Sequence, residues 1–352
     1  MNKITTRVAV LHDPVSSDAG PDAQDTLAQV QAVSEALRVC GYDPRPTEFL
    51  PDLEDLRRKL AACNADAVFN LVESVDGSAR LLHLAPAFLE HLNVPYTGAG
   101  SAAMQLSTDK LLAKRTLFQA GISTPPWRAW PRGVKTGTKA ELQAGEYIVK
   151  SVHEHASLGL DAASVVRVAR PEELDEILAA KHADQPGVWF AERYIEGREF
   201  NVSLMESSQV LDEAPQCDKN PLRVLPPAEI LFEGFEPGQP RIVDYCAKWD
   251  TASAAYRNTP RRFDLGADAE ELSRLLVLQA LRVWRAFGLR GYGRVDFRVE
   301  RKDRQWGAYV IDVNANPCLA PDAGFAAALE AASTPYARGV GDILKCACAL
   351  LE

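Results

Sequence analysis

Four polar side chains in the last third of this 352-residue chain have the types and spacing to clamp a cation and an anion together. Arg294 and Asp296 lie two apart in GRVDFRV, and Asp312 and Asn314 lie two apart in VIDVNANP. Residues two apart on a strand share a face. A hairpin over Gly293 to Pro317 therefore sets all four on one side, with Val295, Phe297, Val299, Ile311 and Val313 on the other. A turn at Asp303, Arg304 and Gln305 brings Asp296 opposite Asp312. Carboxylates facing each other across a ladder repel unless something neutralises them. Hard divalent cations do so through carboxylate and amide oxygens, and magnesium commonly takes one or two carboxylates plus substrate phosphates. A solvated strand face, where alternating polar residues are ordinary, is the other reading.

Other stretches carry weaker signals. In EYIVKSVHEHASLGL an apolar strand delivers Lys150, and a loop of small residues then runs to Gly159. Such a loop presents backbone N–H groups to phosphate and the lysine adds a point charge, although the phosphate-loop pattern itself is missing. A solvated lysine at a strand end is the alternative. In VWFAERYIEGREFNVSLM, Glu192 and Glu199 flank a Glu196-Gly197 turn between two apolar strands. They are suited to an adenine amine or ribose hydroxyls, or form a charged hairpin tip. DYCAKWDTASAAYRNTP places Lys248 and Trp249 ahead of a polar loop too long for a simple turn, either a lid or a tether. Lys110 opens a helix in STDKLLAK, where a cation opposes the helix dipole unless an anion lies nearby. His153 and His155 flank Glu154, but His12, His83, His91 and His182 offer no partner spacing, so a substrate-facing or solvated loop is expected there rather than a metal site. Cys318 has no histidine in a nucleophile pattern near it and reads as a small wall residue.

These residues need a scaffold of two or three domains at this length. Apolar content of 47% and charged content of 25% suit a globular protein with real cores. The first hundred residues alternate strands and helices: RVAVLHD and DAVFNLV as strands, AQDTLAQVQAVSEALRVCG, DLEDLRRKLAAC with Asp52 as N-cap, and RLLHLAPAFLEHLN as helices. That is an α/β unit with a parallel sheet. STDKLLAKRTLFQAG is a helix closed by Gly121, and 131–140 a loop. From 145 to 211 the order strand, loop, strand, helix, strand, strand is that of a small α+β lobe. Strands, the helix AEELSRLLVLQALRVWRAFGL, the hairpin and a terminal helix complete a further α+β region.

A net charge of −9 repels nucleic acid and anionic membrane, so an anionic ligand needs a locally basic pocket. The start, MNKITTRVAVLHDP, is too weakly apolar for a signal peptide, and no run approaches the ~18 apolar residues of a membrane span. Seven widely spaced cysteines point to reduced thiols and a cytoplasmic setting, with Cys346 and Cys348 packed in the terminal helix.

Taken in order, VPYTGAGSAAMQLSTDKLLAKRTLFQAGISTPPW, YIVKSVHEHASLGL, AERYIEGREFNV and GRVDFRV…VIDVNANP resemble segments of the ATP-grasp superfamily, and within it the D-alanine–D-alanine ligases. The likeness spans roughly residues 66 to 325. It implies an ATP-grasp fold with an N-terminal parallel-sheet domain over 1–105, a central lobe over 106–211 and a C-terminal domain carrying the metal site over 212–352. It further implies that Lys110 and Lys150 bind the phosphates of ATP, with Ser157 in the loop that covers them. Glu192 and the backbone near Ile195 would hold adenine, Glu199 the ribose, and Lys248 would reach the γ-phosphate. Asp296, Asp312 and Asn314 would hold magnesium (two ions, with manganese as a substitute). Arg294, with Lys248 and Ser157, would serve the reacting centre.

The implied activity is a carboxylate–amine ligase that forms an acyl phosphate, then an amide, releasing ADP and phosphate. Its partners would be small amino-acid-like acids and amines, with no nucleic acid or membrane, and a homodimer is one arrangement open to the chain. D-alanine–D-alanine ligation itself, a kinase- or carboxylase-type transfer without an amine, and a non-catalytic Mg-ATP-binding module stay open beside it. Departures from the family pattern fall on the substrate side. Asp312 replaces the usual Glu, Cys318 stands where those ligases have Gly, and His153, Glu154 and His155 replace an Arg-Glu-Gly sequence. Trp249 replaces Tyr, and the first strand ends in LHDPVSS rather than a Gly-rich turn. A substrate pair other than two D-alanines, with a polar amino acid or amino-acid-like partner on at least one side, is therefore expected.

Overall fold

The run RVAVLH is apolar on both faces, the pattern of a parallel strand covered on two sides. In the computed structural model, which describes residues 6–15, 21–130, 142–153, 159–185, 187–207, 216–217, 220–250 and 252–349, it forms β1 (Arg7–His12). β1 is flanked in parallel by β2 (Asp43–Glu48) and β3 (Ala67–Asn70) in the order β2-β1-β3. The connecting helices are α1 (Pro21–Val39) and α2 (Leu53–Cys63), the latter capped by Asp52, which accepts from the N–H groups of Glu54 and Asp55. Strand β2 has no strand-like pattern, because it holds Pro44 and Pro46. Asp43 N–H donates to Thr6 across the pair, so alternation points the two proline nitrogens away from β1, at a sheet edge. The segment expected as one helix from Arg80 divides into a 3-10 turn (Ala79–Leu81) and α3 (Leu84–His91). Two short helices follow, α4 (Ser101–Thr108) and α5 (Lys110–Gln119), separated at Asp109, whose side chain caps α5 by accepting from Leu111 and Leu112.

The next sheet is antiparallel, with strands β4 (Trp127–Trp130), β5 (Gly145–Ser151), β6 (Val165–Val168) and β7 (Trp189–Arg193) in the order β4-β7-β5-β6. Helix α6 (Glu173–Asp184) covers one face with Leu174 and Leu178 against Tyr147, Val149 and Ala191. The opposite face packs Trp127, Ala129 and Phe190 on Leu111 of α5.

Strand β8 (Arg198–Glu206) is the middle of a larger sheet. It pairs with β10 (Asn220–Val224), itself paired with β9 (Gln216–Cys217), and with β11 (Ala228–Ile230) and β13 (Tyr292–Lys302). β11 carries β12 (Arg261–Arg262), and β13 carries β14 (Gln305–Asn314). The expectation of a β7–β8 hairpin is thus corrected: the two strands belong to different sheets. Gly197 lets the chain cross between them, since a Cβ there would lie 2.2 Å from the Val299 carbonyl oxygen. Lys248 itself lies in a short helix, α7 (Tyr245–Trp249), and the stretch after it, expected as a loop, holds a second, α8 (Ala254–Arg257); Asp244 and Ser253 cap them. Helix α9 (Ala269–Phe287) lays Leu272, Leu276, Val283 and Phe287 on the large sheet's apolar face, against Val295, Phe297 and Val299. Helix α10 (Gly324–Ala331) follows, and α11 (Tyr336–Cys348) packs Val340, Ile343 and Leu344 against Val30, Val33 and Leu37 of α1. Cys40, Cys63, Cys246, Cys318, Cys346 and Cys348 are free thiols. No helix among the described residues is long and apolar enough to cross a membrane.

The β13–β14 hairpin has the expected pairing for an unexpected reason. Its turn is two residues, Asp303 and Arg304, both at positive φ (48° and 67°), and Gln305 already pairs with Lys302. That register alone would misalign the carboxylates by one residue. A bulge at Ile311 restores it, so Phe297 faces Val310 while Asp296 faces Asp312. The bulge also corrects Ile311 itself: Val310 fills the core and Ile311 lines the cavity.

Candidate active site

One cavity of about 640 Å³ lies where the three sheets meet. The hairpin supplies one wall. Asp296 is buried and receives four N–H groups: Arg294 grips it through Nε (2.8 Å) and Nη2 (2.9 Å), while Asn201 (2.8 Å) and Asn314 (3.0 Å) each donate to one oxygen. Asp312 accepts only from the N–H of Val313, at 3.0 Å, and forms no ion pair among the described residues. Two carboxylates and one carboxamide on a single face make a hard-oxygen donor set, and these residues fit magnesium. Among the described residues no cluster of three or more His, Cys, Asp or Glu competes with them as a metal site.

The central sheet supplies the second wall. Glu192 pairs with Ile148 of β5 and Trp127 of β4, and Lys150 lies two residues past Ile148 on the same face. The Lys150 ammonium meets Glu192 Oε1 at 2.7 Å and that of Lys114, from α5, meets Oε2 at 2.5 Å. Burial alone would raise the Glu192 pKa, but the two lysines hold it below the ordinary carboxylate range. One carboxylate against two ammonium groups leaves a net positive charge in a low-dielectric wall, which an incoming anion would neutralise. Both oxygens of Glu192 are engaged by lysines here, so an adenine amine would have to compete for them. Ile195 is buried against the cavity, and its N–H meets no acceptor among the described residues. Glu199, two residues before Asn201 on β8, pairs with Arg298 at 3.2 Å, and burial raises its pKa against that cation.

The third wall comes from the N-terminal unit. Glu73, just past β3, accepts from Gln29 Nε2 at 2.9 Å, and Gln29 Oε1 accepts from the N–H of Leu319 at 2.6 Å. That glutamine ties helix α1 to the segment after the hairpin. Burial lifts the Glu73 carboxyl to about 7. Cys318 points its thiol at Asp25 (3.5 Å), and burial pushes that thiol well above its usual range, so it stays protonated. Lys248 is open to the cavity yet crowded by protein atoms, and burial, with Arg294 adding repulsion, lowers its pKa.

Of the residues singled out from sequence, Lys150, Glu192, Ile195, Glu199, Lys248, Arg294, Asp296, Asp312, Asn314 and Cys318 line this one cavity. Lys110 does not line it; its backbone N–H, at the start of α5, donates to Val152. His153 is described but is not among the lining residues, whereas Ser157, Glu154, His155 and the side chain of Trp249 lie outside what the structure describes. Sequence reasoning passed over Lys114, Asn201, Glu73 and Asp25. Two of these had a signal: Lys114 is one helical turn beyond Lys110, and Asn201 shares a strand face with Glu199.

Residues 117–345 match the family model described as D-ala D-ala ligase C-terminus. A D-alanine–D-alanine ligase of Cereibacter sphaeroides is 30% identical over 317 residues, covering 90% of this chain and 87% of that protein. An uncharacterized protein, y4sG, of Sinorhizobium fredii is 28% identical over 318 residues, covering 89% and 85%. The D-alanine–D-alanine ligase of Bacillus anthracis, solved complexed with ATP, superposes with a TM-score of 0.69 at 21% identity, over 99% of this chain and 98% of that one. At that identity the likeness is one of fold.

Proposed function

The chain belongs to the D-alanine–D-alanine ligase family of ATP-grasp proteins, and from that premise we propose that it joins a carboxylate to an amine at the expense of ATP, by way of an acyl phosphate. The observation that carries this reading is the convergence in one cavity of Lys150 and Glu192, the latter backed by Lys114, with Arg294, Asp296, Asp312 and Asn314. The first group suits phosphates; the second suits the metal and the charge that develops at the transferring phosphoryl group.

In the first step a carboxylate oxygen of the acid substrate attacks the γ-phosphorus. A new P–O bond forms, the bond to the bridging oxygen breaks, and ADP leaves. In the second step the amine nitrogen attacks the acyl carbon. The C–N bond forms, phosphate departs with one former carboxylate oxygen, and the nitrogen sheds a proton. Lys150 orients the phosphates, with Lys114 and Glu192 fixing its position. In this reading the Ile195 N–H donates to the adenine ring and Glu199 accepts from ribose. Arg294, locked by Asp296, presents a guanidinium to the reacting centre. Asp296, Asp312 and Asn314 would hold magnesium, which neutralises phosphate charge when bound. Glu73 and Asp25 face the opposite end of the cavity and suit the ammonium of an amino-acid-like substrate. Helices α7 and α8 close over the cavity in this reading, which protects an acyl phosphate from water.

The substrate pair we infer is not two D-alanines. Cys318 puts a side chain where the family's usual residue has none, and its thiol is neutral, so it narrows the acceptor end without supplying a nucleophile. Nucleotide products measured across amino acids offered singly and in pairs test the reading. ADP formed only in the presence of an acid and an amine together supports it. Formation of AMP and pyrophosphate, or no ADP with any pair, refutes it. If D-alanine alone gives an efficiency that no other pair exceeds, the substrate part is wrong.

A further inference from the structure

Arg261 is a cavity-facing cation that neither the phosphate wall nor the hairpin accounts for. It stands in the two-residue strand β12, and neighbouring strand residues point to opposite faces. Arg262 turns to Glu229, whose carboxylate it meets at 2.5 Å and which Arg198 also grips. Arg261 therefore turns inward. Its Nη1 donates to the backbone carbonyl of Asp322 at 3.0 Å, and no carboxylate among the described residues lies within ion-pair distance of it.

Gly324 shows how close the second guanidinium is. A Cβ at that glycine would lie 3.4 Å from Arg261 Nε and 3.9 Å from Arg294 Nη1, so both cations border the same open point. Arg294 is balanced by Asp296, whereas Arg261 has only a carbonyl. Two cations beside one vacant position repel each other until an anion enters. After burial, the groups that act most on Arg261 are Arg294, Tyr256, Asp322 and Cys318. With the Asp322 carbonyl and Gly324 beside it, Arg261 borders the end of the cavity narrowed by Cys318.

Resting on the ligase reading above, we propose that Arg261 is a specificity-determining residue for the amine substrate, and that this substrate is an amino acid carrying a second carboxylate. One carboxylate occupies the point between the two arginines and the other is held by the planar fork of Arg261, whose geometry matches a carboxylate bidentately. A site built to bond a charged or polar group rejects the analogue that lacks it strongly.

The test is calorimetric titration of the full chain, with magnesium and a non-hydrolysable ATP analogue present, by aspartate and glutamate of both hands and by asparagine and glutamine of both hands. At least one acid is expected to bind about 10-fold or more tightly than its own amide. Arg261→Gln should erase that preference and Arg261→Lys should retain part of it, both leaving affinity for the ATP analogue unchanged. Acids that bind no better than their amides, including no binding by either, overturn the proposal. So does a preference that survives in Arg261→Gln, or a loss of nucleotide affinity in that variant, which would assign Arg261 to phosphate. Because the titration needs no turnover, it is independent of the ADP measurement: ligation with neutral amines and no acid preference overturns the Arg261 assignment alone.

Discussion

Lys150 and Asp296 touch the same cavity but separate in what their loss should do. In the proposed site Lys150 makes a ground-state contact to phosphate, and a charge-assisted hydrogen bond of this kind is worth ~1.5–3 kcal/mol. Lys150→Ala should therefore weaken binding of the ATP analogue roughly 10- to 100-fold by titration. Asp296→Asn removes one of two facing carboxylates and the anchor of Arg294, so its main effect should fall on kcat, by about 10²-fold or more, rather than on nucleotide affinity. Normal turnover in both variants would place the chemistry elsewhere. Glu73 gives a pH signature. Its carboxyl is raised to about 7, chiefly by burial, with Gln29 donating to it, Asp13 and Asp25 repelling and Lys248 attracting. Between the ordinary carboxyl value near 4.5 and about 7, the folded chain keeps a proton that the unfolded chain has released, so stability falls as pH rises through that window. Thermal melts of the ligand-free protein from pH 5 to pH 8 should show wild type losing stability relative to Glu73→Gln; parallel curves would contradict the assignment.

At the scale of elements, the connection between β7 and β8 is the tightest joint around the site. Gly197→Ala would drive a methyl into the Val299 carbonyl, and backbone must move to relieve it. The expected cost is about 1–3 kcal/mol in denaturant unfolding, with Glu199 and Ile195 displaced and nucleotide affinity reduced as well. Helices α7 and α8 carry little buried surface and should gain hydrogen-exchange protection when the ATP analogue binds, while β13 and β14 stay unchanged. Equal exchange with and without it would remove the lid role. Elements whose side chains alternated or recurred at helical spacing were legible in the sequence: β1, α2 with its Asp52 cap, α9 and the strands of the hairpin. β2 was not, because Pro44 and Pro46 mask a strand that tolerates them only as an edge. β4 was not, because four residues after a proline pair are too few to show a period. The hairpin is the instructive case. Its turn is one residue shorter than expected and β14 has one extra residue at Ile311, and the two differences cancel at Asp296 and Asp312.

For the whole molecule, the overall charge does not describe the site, whose lining carries seven acidic and seven basic side chains. The chain carries a net charge of −9, yet its central cavity gathers Lys150, Lys248, Arg261, Arg294 and Arg298. Residues close to one of the quoted motifs were readable, since strand alternation joins Arg294 to Asp296 and Asp312 to Asn314. Residues brought in from a distance were not. Glu73 and Asp25 reach the cavity only because α1 packs on α11 and Gln29 bridges to Leu319, contacts between positions about 290 to 310 apart that no local pattern announces. In the proposed ligation the acid substrate's own oxygen takes the γ-phosphoryl group. That transfer is tested most directly by turnover with an acid substrate labelled with oxygen-18 in its carboxylate, followed by mass analysis of all phosphorus-containing products. One labelled oxygen is expected in inorganic phosphate for each amide formed, and none in the nucleotide. Label in AMP, or unlabelled phosphate released alongside the amide, would contradict it.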